Sequence, residues 1–167
     1  LLADPHLPNK LLRGAEDAVR PCIYCYTCVS AIYGGTHTRC AVNADLSFEY
    51  QRPVAKAARK RILVIGGGPG GMESARRLAD LGHDVTLVEK SDRLGGTLRF
   101  AALAYEPNER LLNWLKRGLE ESSVDVRLNT EATPELVAAL KPDDIIVATG
   151  AVRGMPDLPG SDLPHVY

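Results

Sequence analysis

The sequence predicts an α/β protein: a doubly wound parallel sheet of Rossmann-like type, preceded by an N-terminal cysteine-rich loop segment. Three observations carry this. The apolar run Ile62–Ile65 leads into a glycine-rich turn and then a helical pattern. Short apolar strands alternate with helical repeats from there to Ala148. All four cysteines fall ahead of this region, at Cys22, Cys25, Cys28 and Cys40. Strands alternating with helices select a parallel sheet, because each crossover must return over a sheet face.

Residues 1–21 are polar with scattered leucines, and Lys10–Val19 reads as a short helix whose apolar side is too small for a core of its own. The cysteine stretch follows, and residues 44–60 read as a connection. Ile62–Ile65 is an unbroken apolar run, suited to a strand buried on both faces. The next helix puts Met72, Ala75 and Ala79 on one face and ends at Gly82. A second strand, Asp84–Val88, ends in Glu89. Thr97–Ala104 reads as a short helix and Glu106–Glu121 as a stronger one, with Leu111, Leu115 and Leu119 in register and Trp114 in the core rather than on a ligand. Val124–Leu128 alternates as a third strand. Thr133-Pro134-Glu135 is a helix start, with Thr as N-cap and Pro in the first turn. That helix runs to about Leu140, and Asp144–Ala148 is the last strand. The cysteine loop is expected to pack as an appendage against the sheet edge.

Composition sets bounds. With 167 residues, 45% hydrophobic and a net charge of −1, the chain has room for one core and gives no reason to expect nucleic acid. The basic run KAARKR over 56–61 reads as a solvated linker. No apolar stretch is long enough for a membrane span, so the expectation is a soluble, cytoplasmic protein. The absence of an initiator Met and the Pro-rich end MPDLPGSDLPHVY read as an internal piece of something longer.

Two constellations carry chemistry. Gly66, Gly68 and Gly71 stand at G-x-G-x-x-G spacing between a strand and a helix. That context favours a dinucleotide site over a glycine turn that binds nothing. The helix N-terminus offers unpaired N–H groups to a pyrophosphate. Glu89 would accept from ribose hydroxyls and repel a 2′-phosphate, favouring FAD, NAD or ADP over NADP. Gly95-Gly96 allows another close backbone approach, although the pair alone would equally fit a plain turn. The cysteines, as C-x2-C-x2-C-x11-C, suit four-thiolate zinc or an iron–sulfur cluster, and disulfides do not suit a reducing compartment. Three cysteines at two-residue gaps are closer to a [4Fe–4S] loop than to a zinc ribbon. His37 could join a mixed site but reads better as a loop histidine. Arg20 and Arg39 would offset the negative charge of a cluster.

Together, the cysteine loop and the glycine loop resemble one family: the multidomain flavin oxidoreductases related to old yellow enzyme, which include 2,4-dienoyl-CoA reductase and trimethylamine dehydrogenase. Leu1–Lys10 is similar to the exit segment of that family's FMN-binding barrel. Arg20-Pro21-Cys22-Ile23-x-Cys25 and Cys40-x-Val42-Asn43 are similar to the two ends of its [4Fe–4S] loop. The resemblance implies Cys22, Cys25, Cys28 and Cys40 as ligands of a [4Fe–4S] cluster. It implies an FAD or ADP site made by Gly66, Gly68, Pro69, Gly70, Gly71, Glu89, Lys90, Arg93, Gly95, Gly96, Thr97, Ala132, Ala148, Thr149 and Gly150. The implied domains are 1–20 as the tail of an absent FMN barrel, 21–60 as cluster loop and connection, 61–155 as the nucleotide domain, and 156–167 as a linker to an absent NAD(P)-binding segment.

The implied role is an electron relay between FAD, reduced by NAD(P)H, and FMN through the cluster. The alternative is an amine-dehydrogenase-like protein with structural ADP, whose cluster serves an electron-transfer flavoprotein. A zinc-stabilised nucleotide module is a third reading. The two-residue gap between Cys25 and Cys28 is similar to the amine dehydrogenases, and Ala44 replaces a usual proline. No catalytic residue is assigned, and the chain alone is expected to turn over no substrate.

Overall fold

The computed structural model describes residues 1–51, 58–151, 158–160 and 163. Most of the linker expected over 156–167 and part of the connection over 44–60 lie outside the described residues. Four strands, β1 (Arg61–Ile65), β2 (Asp84–Val88), β3 (Asp125–Arg127) and β4 (Asp144–Val147), form one parallel sheet in the order β3-β2-β1-β4. The chain moves outward from β1 to β2 to β3 and then crosses back to β4. Right-handed crossovers therefore put the earlier helices on one face and the last helix on the other. This is the doubly wound arrangement.

The first face holds the core. Helices α3 (Pro69–Asp80) and α5 (Glu106–Glu120) lie over it. Met72 and Ala75 of α3, and Leu111, Leu112, Leu115 and Leu119 of α5, pack on Ile62, Val64, Val85 and Leu87. Met72, Ala75, Val64 and Leu87 are fully buried, each of the larger side chains contributing about 1.5–3 kcal/mol. Gly82, at φ +90, ends α3 through the bond from His83 N–H to the Leu78 carbonyl.

The opposite face is thinner. Leu140 and Pro142, at the end of α6 (Pro134–Leu140), share a cavity with Leu63 and Thr86. On β4, Ile145 and Val147 remain exposed. Thr133 caps α6 by accepting from Leu136 N–H at 3.3 Å.

Two local expectations are corrected. The helix read over Lys10–Val19 is instead α1 (Leu7–Leu12) and a separate 3-10 turn at Glu16–Ala18. Proline at the start of α1 sets its beginning, and Gly14, at φ +64, breaks it. The cysteine stretch also contains a helix, α2 (Thr27–Tyr33), that the loop reading did not contain.

The cysteine segment packs on the outer surface of α3 and α5, not on a sheet edge. Ile23 and Val42 rest against the core. Arg77 of α3 makes a two-pronged pair with Asp45 at 2.5 and 2.6 Å, and Trp114 Nε1–H of α5 donates to the Ala18 carbonyl at 3.1 Å. The reason is chemical: α3 and α5 offer the arginines and the indole that these contacts use.

Candidate functional site: a nucleotide cavity and a cysteine loop

At the C-terminal ends of β1, β2 and β4 lies a cavity of about 680 Å³. It opens between β1 and β4, where the crossovers reverse direction, the usual ligand crevice of such sheets. Gly66 adopts φ +107, and a Cβ there would come 2.4 Å from the Ala148 carbonyl oxygen. Only glycine lets β1 turn this close to the end of β4. A Cβ at Gly71 would come 1.9 Å from the Gly66 carbonyl oxygen, so the first turn of α3 sits directly on the turn. Gly68, the N-cap of α3, faces open space, and nothing stands between the helix N-terminus and the cavity.

The two glycine segments face each other. Gly95 N–H donates to the Gly67 carbonyl at 2.8 Å, and a Cβ at Gly96 would lie 3.2 Å from Gly68 Cα. Glu89 ties the first segment to the end of β2: Oε2 accepts from Gly67 N–H at 2.6 Å and Oε1 from Ser91 N–H at 2.9 Å. Partial burial pushes its carboxyl up, but these amides, the Ser91 hydroxyl and Lys90 more than offset that and hold it below the ordinary carboxylate range. It is ionised at neutral pH.

Of the residues read from sequence, Gly66, Gly68, Pro69, Gly70, Glu89, Lys90, Gly96, Thr97, Ala132, Ala148, Thr149 and Gly150 line this cavity. Gly71 and Gly95 lie behind it as packing positions. Arg93 turns away onto Asp92, with two contacts at 2.7 Å. Gly67, Arg99, Phe100, Thr130 and Glu131 were not singled out by sequence reasoning. Gly67 holds the turn and the other four line the wall. Arg99 and Phe100 were signalled by their place in the first turn of the helix that follows the glycine pair, α4 (Leu98–Ala104).

The cysteine segment is bracketed at both ends by one side chain. Arg20 Nη1 donates to the Val42 carbonyl at 2.8 Å and to Asn43 Oδ1 at 3.3 Å, while Nη2 lies 3.4 Å from Glu73 of α3. Its guanidinium stands 4.8 Å from the Trp114 ring centroid, with Arg76 at 5.3 Å. Asp4 and Asn43 are buried. Asp4 accepts from Arg20 N–H and Lys10 Nζ, and Asn43 donates to the Leu2 carbonyl.

Inside the bracket, Tyr24 and Tyr26 adopt φ +52 and +58. Such left-handed backbone costs non-glycine residues about 1–2 kcal/mol each and concentrates at functional sites. Tyr24 N–H points at Cys22 Sγ at 3.3 Å, and Cys25 Sγ lies 3.3 Å from the Thr27 hydroxyl. Burial pushes the Cys25 thiol up, but that hydroxyl and the amides of Thr27 and Ala41 bring it below its ordinary value. Ala41 adjoins Cys40, so the distant cysteine comes back to the first loop. Donors aimed at sulfur fit thiolates holding a metal group. Among the described residues, no three His, Cys, Asp or Glu side chains are grouped to hold a single ion. In a cluster each thiolate takes a different iron. Arg39 and Cys25 line one open cavity beside α2.

The fold and the glycine-lined crevice define a dinucleotide-binding α/β protein with an added thiol-rich loop. The chain belongs to the pyridine nucleotide-disulphide oxidoreductase family, which it matches over residues 35–135 and 61–167. It is 39% identical over 171 residues to a bilirubin reductase of Mediterraneibacter gnavus, covering 100% of this chain and 27% of that protein. It is 36% identical over 166 residues to a multifunctional alkene reductase/demethylase OYE of Caballeronia cordobensis, covering 96% and 24%. The structure of 6-hydroxypseudooxynicotine amine oxidase from Pseudomonas geniculata N1 matches with a TM-score of 0.86 at 33% identity, covering 98% of this chain and 27% of that one. The resemblance to old yellow enzyme-related flavin oxidoreductases therefore holds, and the chain spans about a quarter of the length of these relatives. Among the described residues, no helix is long and apolar enough to cross a membrane.

Proposed function

We propose that this chain is the electron-relay portion of a flavin and iron–sulfur oxidoreductase. The observation that carries the reading is the pairing of two facing glycine segments with an ionised Glu89 at the C-terminal ends of the strands. Gly66–Gly71 and Gly95–Thr97 take the diphosphate of FAD, Glu89 the ribose, and Ala148–Gly150 the far wall. Cys22, Cys25, Cys28 and Cys40 hold a [4Fe–4S] cluster. Bound flavin accepts a hydride and releases single electrons; the residues of this chain orient it and set its distance from the cluster. Segments outside this chain supply the FMN barrel and the NAD(P)H site, so residues 1–20 and 156–167 are connections, while 21–60 and 61–155 carry the two groups.

A second reading is supported by the two-residue gap between Cys25 and Cys28 and by the amine oxidase likeness. In it the cavity holds ADP for structure, and the cluster hands electrons to an electron-transfer flavoprotein. Iron, sulfide and nucleotide assays on anaerobically purified protein separate these. Iron, sulfide and FAD support the relay; iron, sulfide and ADP support the second. Stoichiometric zinc without iron overturns both. Cys25→Ala is expected to abolish the brown absorbance while leaving nucleotide content intact.

A further inference from the structure

We propose that Arg99 is the cation that recognises the diphosphate in this cavity, and that the absence of a side chain at Gly95 seats it. The inference rests on the reading of the cavity as an ADP-type site, and it holds whether FAD or ADP fills it, since both carry the same diphosphate.

Four observations converge. Arg99 lines the cavity and, among the described residues, makes no ion pair and no side-chain hydrogen bond, whereas its neighbour Arg93 is fully engaged by Asp92. The carboxylate within electrostatic range of Arg99 is Asp92, whose two oxygens are already taken by Arg93, so the guanidinium keeps its donors for an anion that arrives later. Its stem is seated: a Cβ at Gly95 would come 2.7 Å from Arg99 Cγ and 2.7 Å from Leu112 Cδ1. Any side chain at position 95 would displace either Arg99 or the core. The Phe100 ring flanks the head group, with the guanidinium carbon 5.9 Å from its centroid. Finally, the position is right. Arg99 N–H donates to the Gly96 carbonyl, and Gly96 abuts Gly68, the N-cap of α3. Arg99 therefore belongs to the wall that faces the helix N-terminus across the diphosphate position.

Charge supports the same assignment. Glu89 and Glu131 are balanced in the cavity lining by two cations, Lys90 and Arg99, and the α3 N-terminus adds only a partial positive charge. Lys90 is the other cation of the wall, but it adjoins Glu89 at the ribose end and acts on that carboxylate.

The test is titration calorimetry on purified protein freed of bound nucleotide, with ADP and adenosine as probes. Arg99→Ala is expected to weaken ADP roughly tenfold to a hundredfold, the range for losing charge-assisted hydrogen bonds, with adenosine affinity unchanged. Arg99→Lys should recover part of the loss, which a packing defect would not. Unchanged ADP affinity in Arg99→Ala, with Glu89→Ala still weakening both probes, overturns the role of Arg99 and spares the nucleotide site. An ADP loss carried by Lys90→Ala instead also overturns it. Wild-type protein that binds neither probe overturns the site and this inference together.

Discussion

The nucleotide cavity and the cysteine segment are built by opposite means. At the cavity, position is set by backbone: glycines at 66, 67, 71, 95 and 96 let three chain segments approach more closely than any side chain would allow. At the cysteine segment, position is set by side chains, with Arg20, Asp4, Asn43 and Trp114 reaching across from separate elements. Backbone fit tolerates no added atom. A side-chain clamp can be loosened one contact at a time.

The sharpest way to break this contrast is Gly71→Ala. Its Cβ would meet the Gly66 carbonyl, a backbone atom that cannot swing aside, and α3 would have to lift from the turn. The expected cost is about 3 kcal/mol or more, with nucleotide binding lost, measured by urea denaturation and calorimetry.

Arg20→Ala should cost about 1–3 kcal/mol, the range for losing hydrogen bonds to a charged group, because Asn43 and the Val42 carbonyl lose their common donor while Glu73 keeps Arg76. Hydrogen exchange should show protection lost over residues 21–43 and retained in β1 and α3. Uniform loss across both regions would show that the clamp belongs to the core.

Glu89 gives the smallest effect and a pH signature. Its carboxyl is held below the ordinary value in the fold, so its contribution is fully present above the unfolded value and is lost as pH falls through the lower folded one. Stability should therefore be flat from neutral pH down to the usual carboxylate range and fall below it. Glu89→Gln should flatten that acid limb and cost about 1 kcal/mol at neutral pH.

What the sequence disclosed follows the same division. Gly66, Gly68, Gly71 and Glu89 were legible because backbone approach leaves its mark as glycine at fixed spacing beside a strand. The parallel, doubly wound class was legible from the alternation of strands and helices, and the order β3-β2-β1-β4 came from the structure. Arg20 was visible only as a nearby charge, since its partners lie 22 and 53 residues away at Val42 and Glu73 and nothing local marks them. Helix α2 escaped for another reason: Thr27–Tyr33 has no buried residue and no side-chain cap, so neither periodicity nor capping announced it. Arg99 carried only a positional signal, the first turn of the helix after the glycine pair, and nothing in its own residue type set it apart.

The bracket around the cysteine loop has a consequence for how such a loop can change over generations. Because Arg20 joins Val42 and Asn43 at 2.8 and 3.3 Å, residues 21–41 form a closed ring whose ends are fixed regardless of what runs between them. Within that ring Gly35 stands in open space, between the Thr36 N–H bond to the Ala31 carbonyl and the Thr38 carbonyl that accepts from Ser47 Oγ at 2.9 Å. Doubling the length of a flexible loop adds only about 0.6 kcal/mol of closure entropy. Insertion at the open turn around Gly35 should therefore cost little and leave the three early cysteines in place. The ring lets the thiol spacing drift while its distance from the glycine crevice stays fixed.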